Sequence, residues 1–167
     1  MIKVLLFDWG DTLMFDFKDQ IGTMAYWEHV EIIPYIDEAL FHLHNKYKCA
    51  VASNAGDSNI VQLRMALERV HINHFFDDFF ISSELGVVKP NPEFYLSIIK
   101  RLGVRPDECI MIGNDYCKDI VPAKSVGLKT IWYTSELMSG DNLSADVIVN
   151  SMDKLIDAVD KVNSMNK

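Results

Sequence analysis

The chain has 167 residues, with 16 basic and 24 acidic side chains and a formal net charge of −8. Its length suits one domain with a real core, and 49% hydrophobic with 24% charged residues excludes a disordered, collagen-like or coiled-coil protein. The negative charge disfavours nucleic-acid binding, and no apolar run reaches the roughly 18–20 residues of a membrane span.

Short apolar runs alternate with segments of helical period along the chain. Continuous runs are typical of strands covered on both faces, and they lie at Ile2–Phe7, Cys49–Ala52, Phe79–Ile81, Cys109–Ile112, Thr130–Tyr133 and Val147–Val149. Helical spacing occurs in regions 36–43, 60–70, 95–102 and 152–159. The alternation predicts an α/β fold, a three-layer α/β/α sandwich with a mostly parallel, Rossmann-like sheet. Asp57 or Ser58 is expected to cap the second helix, and Ser151 the last.

Residues 14–34 break this alternation, because they show no clear period. We interpret them as a long loop or small flap. Large apolar side chains usually bury, so we expect those of the loop to pack rather than to bind a ligand. They are Phe15, Phe17, Met24, Tyr26 and Trp27.

Polar side chains follow several of the predicted strands. Ligands of an open parallel sheet bind beyond the carboxyl ends of its strands. The segments there, or in a later turn, are Asp8–Thr12, Ser53–Asn54, Lys89–Pro90 and Gly113–Asp119. Together they offer a carboxylate, a hydroxyl, an ammonium group and an acidic cluster.

These groups suit phosphoryl chemistry. A carboxylate can attack phosphorus and form an acyl phosphate. A divalent cation held by carboxylates neutralises the charge that keeps the two anions apart, and a lysine and a hydroxyl can hold the remaining phosphate oxygens. Each group alone is a weak signal, whereas the four in this order are a strong one.

With these motifs, the sequence resembles the haloacid dehalogenase superfamily from Ile2 to about Val149. The first family motif matches residues 8–13, and the last matches residues 113–119. The resemblance implies a Mg²⁺-dependent phosphatase with Asp8 as the nucleophile and Lys89 as a second catalytic residue. The implied phosphate-binding residues are Ser53, Asn54, Lys89 and Thr12. The implied metal ligands are Asp8, Gly10 through its carbonyl, Asn114, Asp115 and Asp119.

Two positions depart from the family pattern. Gly10 stands where the family's phosphatases have an aspartate that protonates the leaving group, a role worth about 10²–10⁴-fold in rate, and Asp11 is the predicted substitute. Asn114 replaces the first aspartate of the last motif. Which of Asn114, Asp115 and Asp119 ligates the metal therefore stays open, with helix capping as the alternative role of the two carboxylates.

The segment between the first two motifs is too short for the helical cap domain that the family often inserts there. We expect a single domain over residues 1–167, with the loop 14–34 in place of a cap. In the family, an open site goes with larger substrates or with a cap from another subunit. The expected partner is a small phosphorylated substrate or a larger phosphorylated molecule, without nucleic acid or membrane, and a homo-oligomer stays open.

The cysteines indicate a reducing compartment. The sequence has an odd number of cysteines, Cys49, Cys109 and Cys117, and no C-x-x-C pair. This pattern does not indicate a disulfide framework. The first two lie inside apolar runs and are expected in the core. The N-terminal residues lack a signal-peptide pattern, so we expect a cytoplasmic protein.

Two other functions stay open. Gly10 and the neutral Asn114 also suit a catalytically weak module that binds a phosphate ligand or a partner. Family members that cleave carbon–halogen or carbon–phosphorus bonds also lack the second aspartate of the first motif, which keeps those reactions open.

Overall fold

Six parallel strands form one sheet in this protein, whose computed structural model describes residues 1–135 and 144–165. The strands are β1 (Val4–Phe7), β2 (Lys48–Ser53), β3 (Asp78–Ile81), β4 (Cys109–Gly113), β5 (Lys129–Tyr133) and β6 (Val147–Val149). Their order across the sheet is β3-β2-β1-β4-β5-β6. The chain builds one side from β1 to β3 and the other from β4 to β6, so β1 and β4 flank a topological switch point.

Helices cover both faces of the sheet. They are α1 (Ile36–Leu43), α2 (Ile60–Arg69), α3 (Ser82–Leu85), α4 (Glu93–Leu102), α5 (Val121–Ser125) and α6 (Leu155–Ser164). Successive side chains of a strand point to opposite faces, so Leu5 and Phe7 of β1 join one apolar core while Val4 and Leu6 join the other. α1, α2 and α6 contribute to the first core, and α4 and α5 to the second. The predicted three-layer sandwich is confirmed.

The predicted helix caps are wrong in detail. Asn59, rather than Asp57 or Ser58, caps α2, since its side chain accepts from the Gln62 amide while the Gln62 side chain accepts from the Asn59 amide. This reciprocal pair satisfies two amides at once. Ser151 makes no side-chain capping bond, because a 3₁₀ turn separates it from α6.

Residues 14–34 form a loop that is fixed to the core at its base. Met14 bridges to Ile32, and a single 3₁₀ turn covers Met24–Tyr26. Trp27 is buried and packs against the core, as predicted. Tyr26 does not, because the turn buries only its first two residues and leaves this side chain 67% exposed.

All three cysteines are free thiols. Cys49 and Cys109 are buried in strands, as predicted, and burial raises the pKa of each thiol to about 12. They are therefore unreactive packing residues. Cys117 is exposed. Within residues 1–135 and 144–165, no helix combines the length and apolar character needed to cross a membrane.

Candidate active site

A cavity of about 560 Å³ opens at the carboxyl edge of the sheet. Asp8 comes directly after β1, Ser53 ends β2, and Asn114 follows β4, while Lys89 lies in the turn between α3 and α4. All four residues line this cavity. The fold thus brings together, at the switch point of the sheet, the carboxylate, hydroxyl and ammonium groups that the sequence singles out.

Lys89 is the centre of the charged network in this cavity. Its side chain is 3% exposed, and its Nζ lies 2.8 Å from Asp8 Oδ1 and 2.6 Å from Asp119 Oδ1. Its third contact is a hydrogen bond of 3.1 Å to the carbonyl of Ala52. These acceptors use all three ammonium hydrogens. Because a buried charge needs such partners, Lys89 fixes the positions of both carboxylates.

Burial and charge have opposite effects on this network. Burial lowers the pKa of Lys89, but the negative charges and hydrogen bonds of Asp8 and Asp119 outweigh it and raise the pKa above its ordinary value. Burial raises the pKa of Asp119 to about 7, and the charge of Asp8 adds to this effect while Lys89 opposes it. One cation is therefore shared between two carboxylates.

The Asp8 carboxylate keeps one oxygen, Oδ2, outside its ion pair with Lys89. Its Oδ1 is engaged with Lys89, which leaves Oδ2 outside that ion pair, and its side chain retains 14% exposure to the cavity. The Asp8 amide donates to the carbonyl of Ile112 at 3.0 Å, which joins the end of β1 to β4. A carboxylate oxygen held rigidly in this way can act as a nucleophile.

Two of the predicted phosphate-binding residues lie at the carboxyl end of β2. The Ser53 hydroxyl oxygen accepts from the Ala55 amide at 3.0 Å, so its hydrogen is available to an oxygen of a ligand. Asn54 lines the cavity as well, but its Oδ1 accepts from the Lys89 amide at 2.8 Å and its Nδ2 donates to the Lys89 carbonyl at 3.1 Å. The Asn54 side chain therefore fixes the backbone of Lys89 at the wall of the cavity.

Thr12 differs from its predicted role. It is fully buried, so its hydroxyl does not reach a phosphate in the cavity, and it donates to Asn114 Oδ1 at 3.2 Å. Trp132 Nε1 donates to the Asn114 carbonyl at 2.9 Å. Thr12 and Trp132 therefore fix Asn114 at the end of β4.

The two carboxylates after Asn114 have separate roles. Asp115 Oδ1 accepts from the Lys118 amide at 2.9 Å and caps the π-helical turn Tyr116–Ile120, while its Oδ2 lies 3.6 Å from Lys118 Nζ. Asp119 is 1% exposed, and its Oδ2 accepts from the Asp115 amide at 3.0 Å while its Oδ1 accepts from Lys89. Both Asp119 oxygens are thus engaged by protein donors.

Gly113 permits this placement of Asp119. A Cβ on residue 113 would lie 2.3 Å from Asp119 Oδ2 and 2.5 Å from its Cγ. These distances are far inside van der Waals contact, so only glycine allows the carboxylate to lie against the end of β4.

The donors around the cavity fit a magnesium ion held by few protein ligands. In the part of the chain that the structure describes, no group of three or more His, Cys, Asp or Glu side chains is placed to hold a metal. Mg²⁺ is often bound through one or two carboxylates, with water and substrate phosphate completing its coordination. Asp8, Gly10, Asn114 and Asp115 all line the cavity and offer oxygen donors of this kind. Asp119 lines the cavity as well, with protein donors on both of its oxygens.

The loop after Gly10 brings in a further carboxylate. Asp11 has a φ of 59°, a conformation that Asp adopts more readily than most residues. Its Oδ1 accepts from the Asp16 amide at 2.9 Å. Asp16, which no motif of the sequence marks, consequently lines the cavity beside Gly10. The sequence holds no signal for this placement, since it depends on the turn at Asp11.

Known sequences include relatives of this chain. The sequence model of a hydrolase family, the haloacid dehalogenase-like hydrolases, matches residues 10–127. A glyceraldehyde 3-phosphate phosphatase of Pyrococcus furiosus is 30% identical over 115 residues, which cover 66% of this chain and 48% of that protein. The chain thus spans about half the length of this curated relative.

Solved structures show the same fold. A HAD phosphatase from Thermococcus onnurineus superposes with a TM-score of 0.67 at 27% identity, over 78% of this chain and 59% of that one. An uncharacterized protein from Listeria monocytogenes serotype 4b superposes with a TM-score of 0.84 at 20% identity, over 98% and 99% of the two chains. At 20% identity the second likeness concerns the fold alone.

Proposed function

The chain belongs to the haloacid dehalogenase-like hydrolase family, and from this membership we propose that it is a Mg²⁺-dependent phosphohydrolase with an aspartyl-phosphate intermediate at Asp8. The observation that carries the proposal is the contact of 2.8 Å between Asp8 Oδ1 and the buried Lys89 Nζ. A carboxylate oriented by a cation, beside a serine hydroxyl in one cavity, suits attack on phosphorus.

In the first step, Asp8 Oδ2 attacks phosphorus and the bond from phosphorus to the leaving oxygen breaks. The products are an aspartyl phosphate and the free alcohol. Ser53 donates its hydroxyl hydrogen to a phosphoryl oxygen, and Lys89 supplies positive charge beside Asp8. Water then attacks phosphorus, the bond to Asp8 breaks, and inorganic phosphate leaves. The leaving oxygen gains one proton in the first step, and water gives up one in the second.

Magnesium, when bound, would neutralise the charge between the Asp8 carboxylate and the phosphate. Asp8, Asn114, Asp115 and the Gly10 carbonyl would hold it, together with water and the substrate. Asp119 acts on this site indirectly, because it positions Lys89.

The proposed substrate is a phosphoric monoester. The Pyrococcus furiosus relative is named for a small sugar phosphate, which favours a small phosphorylated compound, and a larger phosphorylated molecule is the other candidate. The proposal includes one domain over residues 1–167 with the loop 14–34 in place of a cap, a cytoplasmic location, and no nucleic-acid or membrane partners. A homo-oligomer is compatible with it.

Two residues of the site, Gly10 and Asn114, favour a second candidate function. Gly10 has no side chain where the family's phosphatases carry their general acid, and Asn114 has no charge. A catalytically weak module that binds a phosphate ligand would show the same features. It would bind the ligand without turnover, whereas ordinary enzymes turn over at roughly 1–10³ per second.

Phosphate release separates the two candidates. The purified chain is incubated with an aryl phosphate and Mg²⁺, in parallel with Asp8→Asn and with the wild type in EDTA. The phosphohydrolase is supported if only the wild type with Mg²⁺ releases phosphate. Release no faster than that of Asp8→Asn, across a broad panel of phosphomonoesters, would contradict it.

A further inference from the structure

A carboxylate occupies the space that Gly10 leaves beside the nucleophile. A Cβ built on residue 10 would lie 3.3 Å from Asp16 Cβ, 3.6 Å from its Cγ and 3.8 Å from its Oδ2. Asp8, Gly10 and Asp16 line the same cavity, and the Asp16 side chain is 41% exposed. The Asp16 carboxylate therefore lies on the side of the cavity where residue 10 has no side chain.

We propose that Asp16 is the general acid and base of the reaction. The inference rests on the proposed phosphohydrolase function and assigns a residue to the proton transfer that Gly10 does not perform. It differs from the sequence prediction, which gives this role to Asp11.

The backbone does not demand glycine at position 10. Gly10 lies outside the positive-φ region, unlike Gly22 and Gly56 of the same cavity wall. A side chain there would press on Asp16, since 3.3 Å is tighter than ordinary contact between carbon atoms. Glycine at position 10 and a carboxylate at position 16 are thus two parts of one arrangement.

The loop holds Asp16 in this place. Its amide donates to Asp11 Oδ1 at 2.9 Å, and its carboxylate forms an ion pair with Lys18. One residue earlier, the Phe15 amide donates to the Glu31 carbonyl at 3.0 Å, which joins this part of the loop to the segment that returns to the core. The Asp16 backbone is therefore held in place, while its partly exposed side chain contacts Lys18.

Asp11 has a different role in this arrangement. One of its oxygens accepts from the Asp16 amide, and the other lies 3.8 Å from Lys18 Nζ. Asp11 is a positioning residue that fixes the loop carrying Asp16.

Asp16 then performs both proton transfers of the reaction. Asp16 in its acid form gives its proton to the leaving oxygen as the phosphorus–oxygen bond breaks and Asp8 becomes phosphorylated. The Asp16 carboxylate next takes a proton from the water that attacks phosphorus. Asp8 is released as a carboxylate, inorganic phosphate leaves, and Asp16 returns to its acid form.

The test compares kcat/KM of wild type and Asp16→Asn for an aryl and an alkyl phosphate. This ratio reports the steps up to loss of the leaving group, and only a poor leaving group needs protonation. We expect Asp16→Asn to lose about 10²-fold or more with the alkyl phosphate and to stay within about tenfold of wild type with the aryl phosphate. Thermal unfolding checks that both proteins fold.

Two further variants make the comparison specific. Asp19→Asn removes a carboxylate from the same loop at an exposed position outside the cavity, and we expect wild-type rates with both substrates. The double variant Gly10→Asp/Asp16→Gly moves the carboxylate to position 10 and removes the side chain that would collide with it. It should recover at least about tenfold of the lost alkyl phosphatase activity.

The outcomes separate this inference from the proposed function. If wild type hydrolyses both substrates and Asp16→Asn loses neither or both equally, Asp16 is not the acid, while the phosphohydrolase function stands. A wild type that hydrolyses only the aryl phosphate also overturns the role of Asp16 alone. A double variant as slow as Asp16→Asn would show that a carboxylate at position 10 does not replace the one at position 16. If wild type is as inactive as Asp8→Asn with both substrates, the proposed function fails and the inference fails with it.

Discussion

Asn54 forms two hydrogen bonds with the backbone of Lys89, because its Oδ1 accepts from the Lys89 amide at 2.8 Å and its Nδ2 donates to the Lys89 carbonyl at 3.1 Å. Lys89 in turn contacts Asp8 and Asp119. The position of the Asp8 carboxylate therefore depends on an amide that follows a different strand. The first prediction comes from this pairing.

Asn54→Ala should lower kcat more than it changes KM, because Lys89 loses its fixed position without loss of charge. We expect a fall of about tenfold or more in kcat, since small misplacements of catalytic groups are costly, and about 1–3 kcal/mol less stability from unpaired backbone groups. Steady-state kinetics and urea unfolding measure both. The control is Asn45→Ala, which removes an exposed amide that donates to the Phe41 carbonyl of the same turn. An unchanged kcat in Asn54→Ala would refute the positioning role.

Gly113→Ala should displace the Asp119 carboxylate, because the new Cβ would meet Asp119 Oδ2. We expect a loss of about 1–3 kcal/mol in the free energy of unfolding, as for other overpacked sites. The effect should be smaller in an Asp119→Gly background, because that variant lacks Asp119 Oδ2, Cγ and Cβ, the three atoms that the new Cβ would meet. A double-mutant cycle measures this coupling, and additive losses would show that the glycine has another purpose.

Lys89→Met should leave two carboxylates close together without their cation. Breaking a buried ion pair in this way costs about 3–5 kcal/mol. The loss should be larger at pH 8 than at pH 4, because burial raises the pKa of Asp119 to about 7 and its protonation at the lower pH removes the repulsion. Urea unfolding at both pH values tests this. Lys118→Met, which removes an exposed lysine from the same cavity, should cost far less, and equal losses in the two variants would argue against a buried network.

Asp119 should make the protein less stable as pH rises through the acidic range. Its pKa is about 7 in the folded protein against an ordinary 3.8, so the folded state binds the proton more tightly. Its contribution to stability is therefore complete below about pH 4 and is lost as pH rises to about 7. The stability of wild type relative to Asp119→Asn should fall across this range in urea unfolding. A difference that is constant or grows with pH would show that the folded-state pKa is not raised.

The sheet could be predicted because its strands are buried on both faces. Each position of a strand such as β4 must then be apolar, which leaves an uninterrupted run in the sequence. The cap of α2 is harder to predict, since Asp57, Ser58 and Asn59 are all suitable residue types. The choice of Asn59 depends on where the Gln62 side chain reaches back.

The candidate site could also be predicted only in part. Asp8, Ser53 and Lys89 could be located because each follows a strand or lies in a marked turn. The roles of Asn54 and Thr12 could not, because they depend on which partner each polar atom finds in space. Asp16 is six residues beyond Gly10, and only the left-handed turn at Asp11 brings it back beside that glycine.

Detection of a phosphoryl group on Asp8 is the most direct test of its assignment as the nucleophile. The protein is mixed with an aryl phosphate and Mg²⁺, quenched in acid during the first turnover, digested and sequenced by mass spectrometry. We predict a phosphoryl group on Asp8 in wild type, its absence in Asp8→Asn, and a loss of about 10³-fold or more in the activity of that variant. Phosphate release at the wild-type rate by Asp8→Asn, or a phosphoryl group on a different residue, would contradict the assignment of Asp8 as the nucleophile.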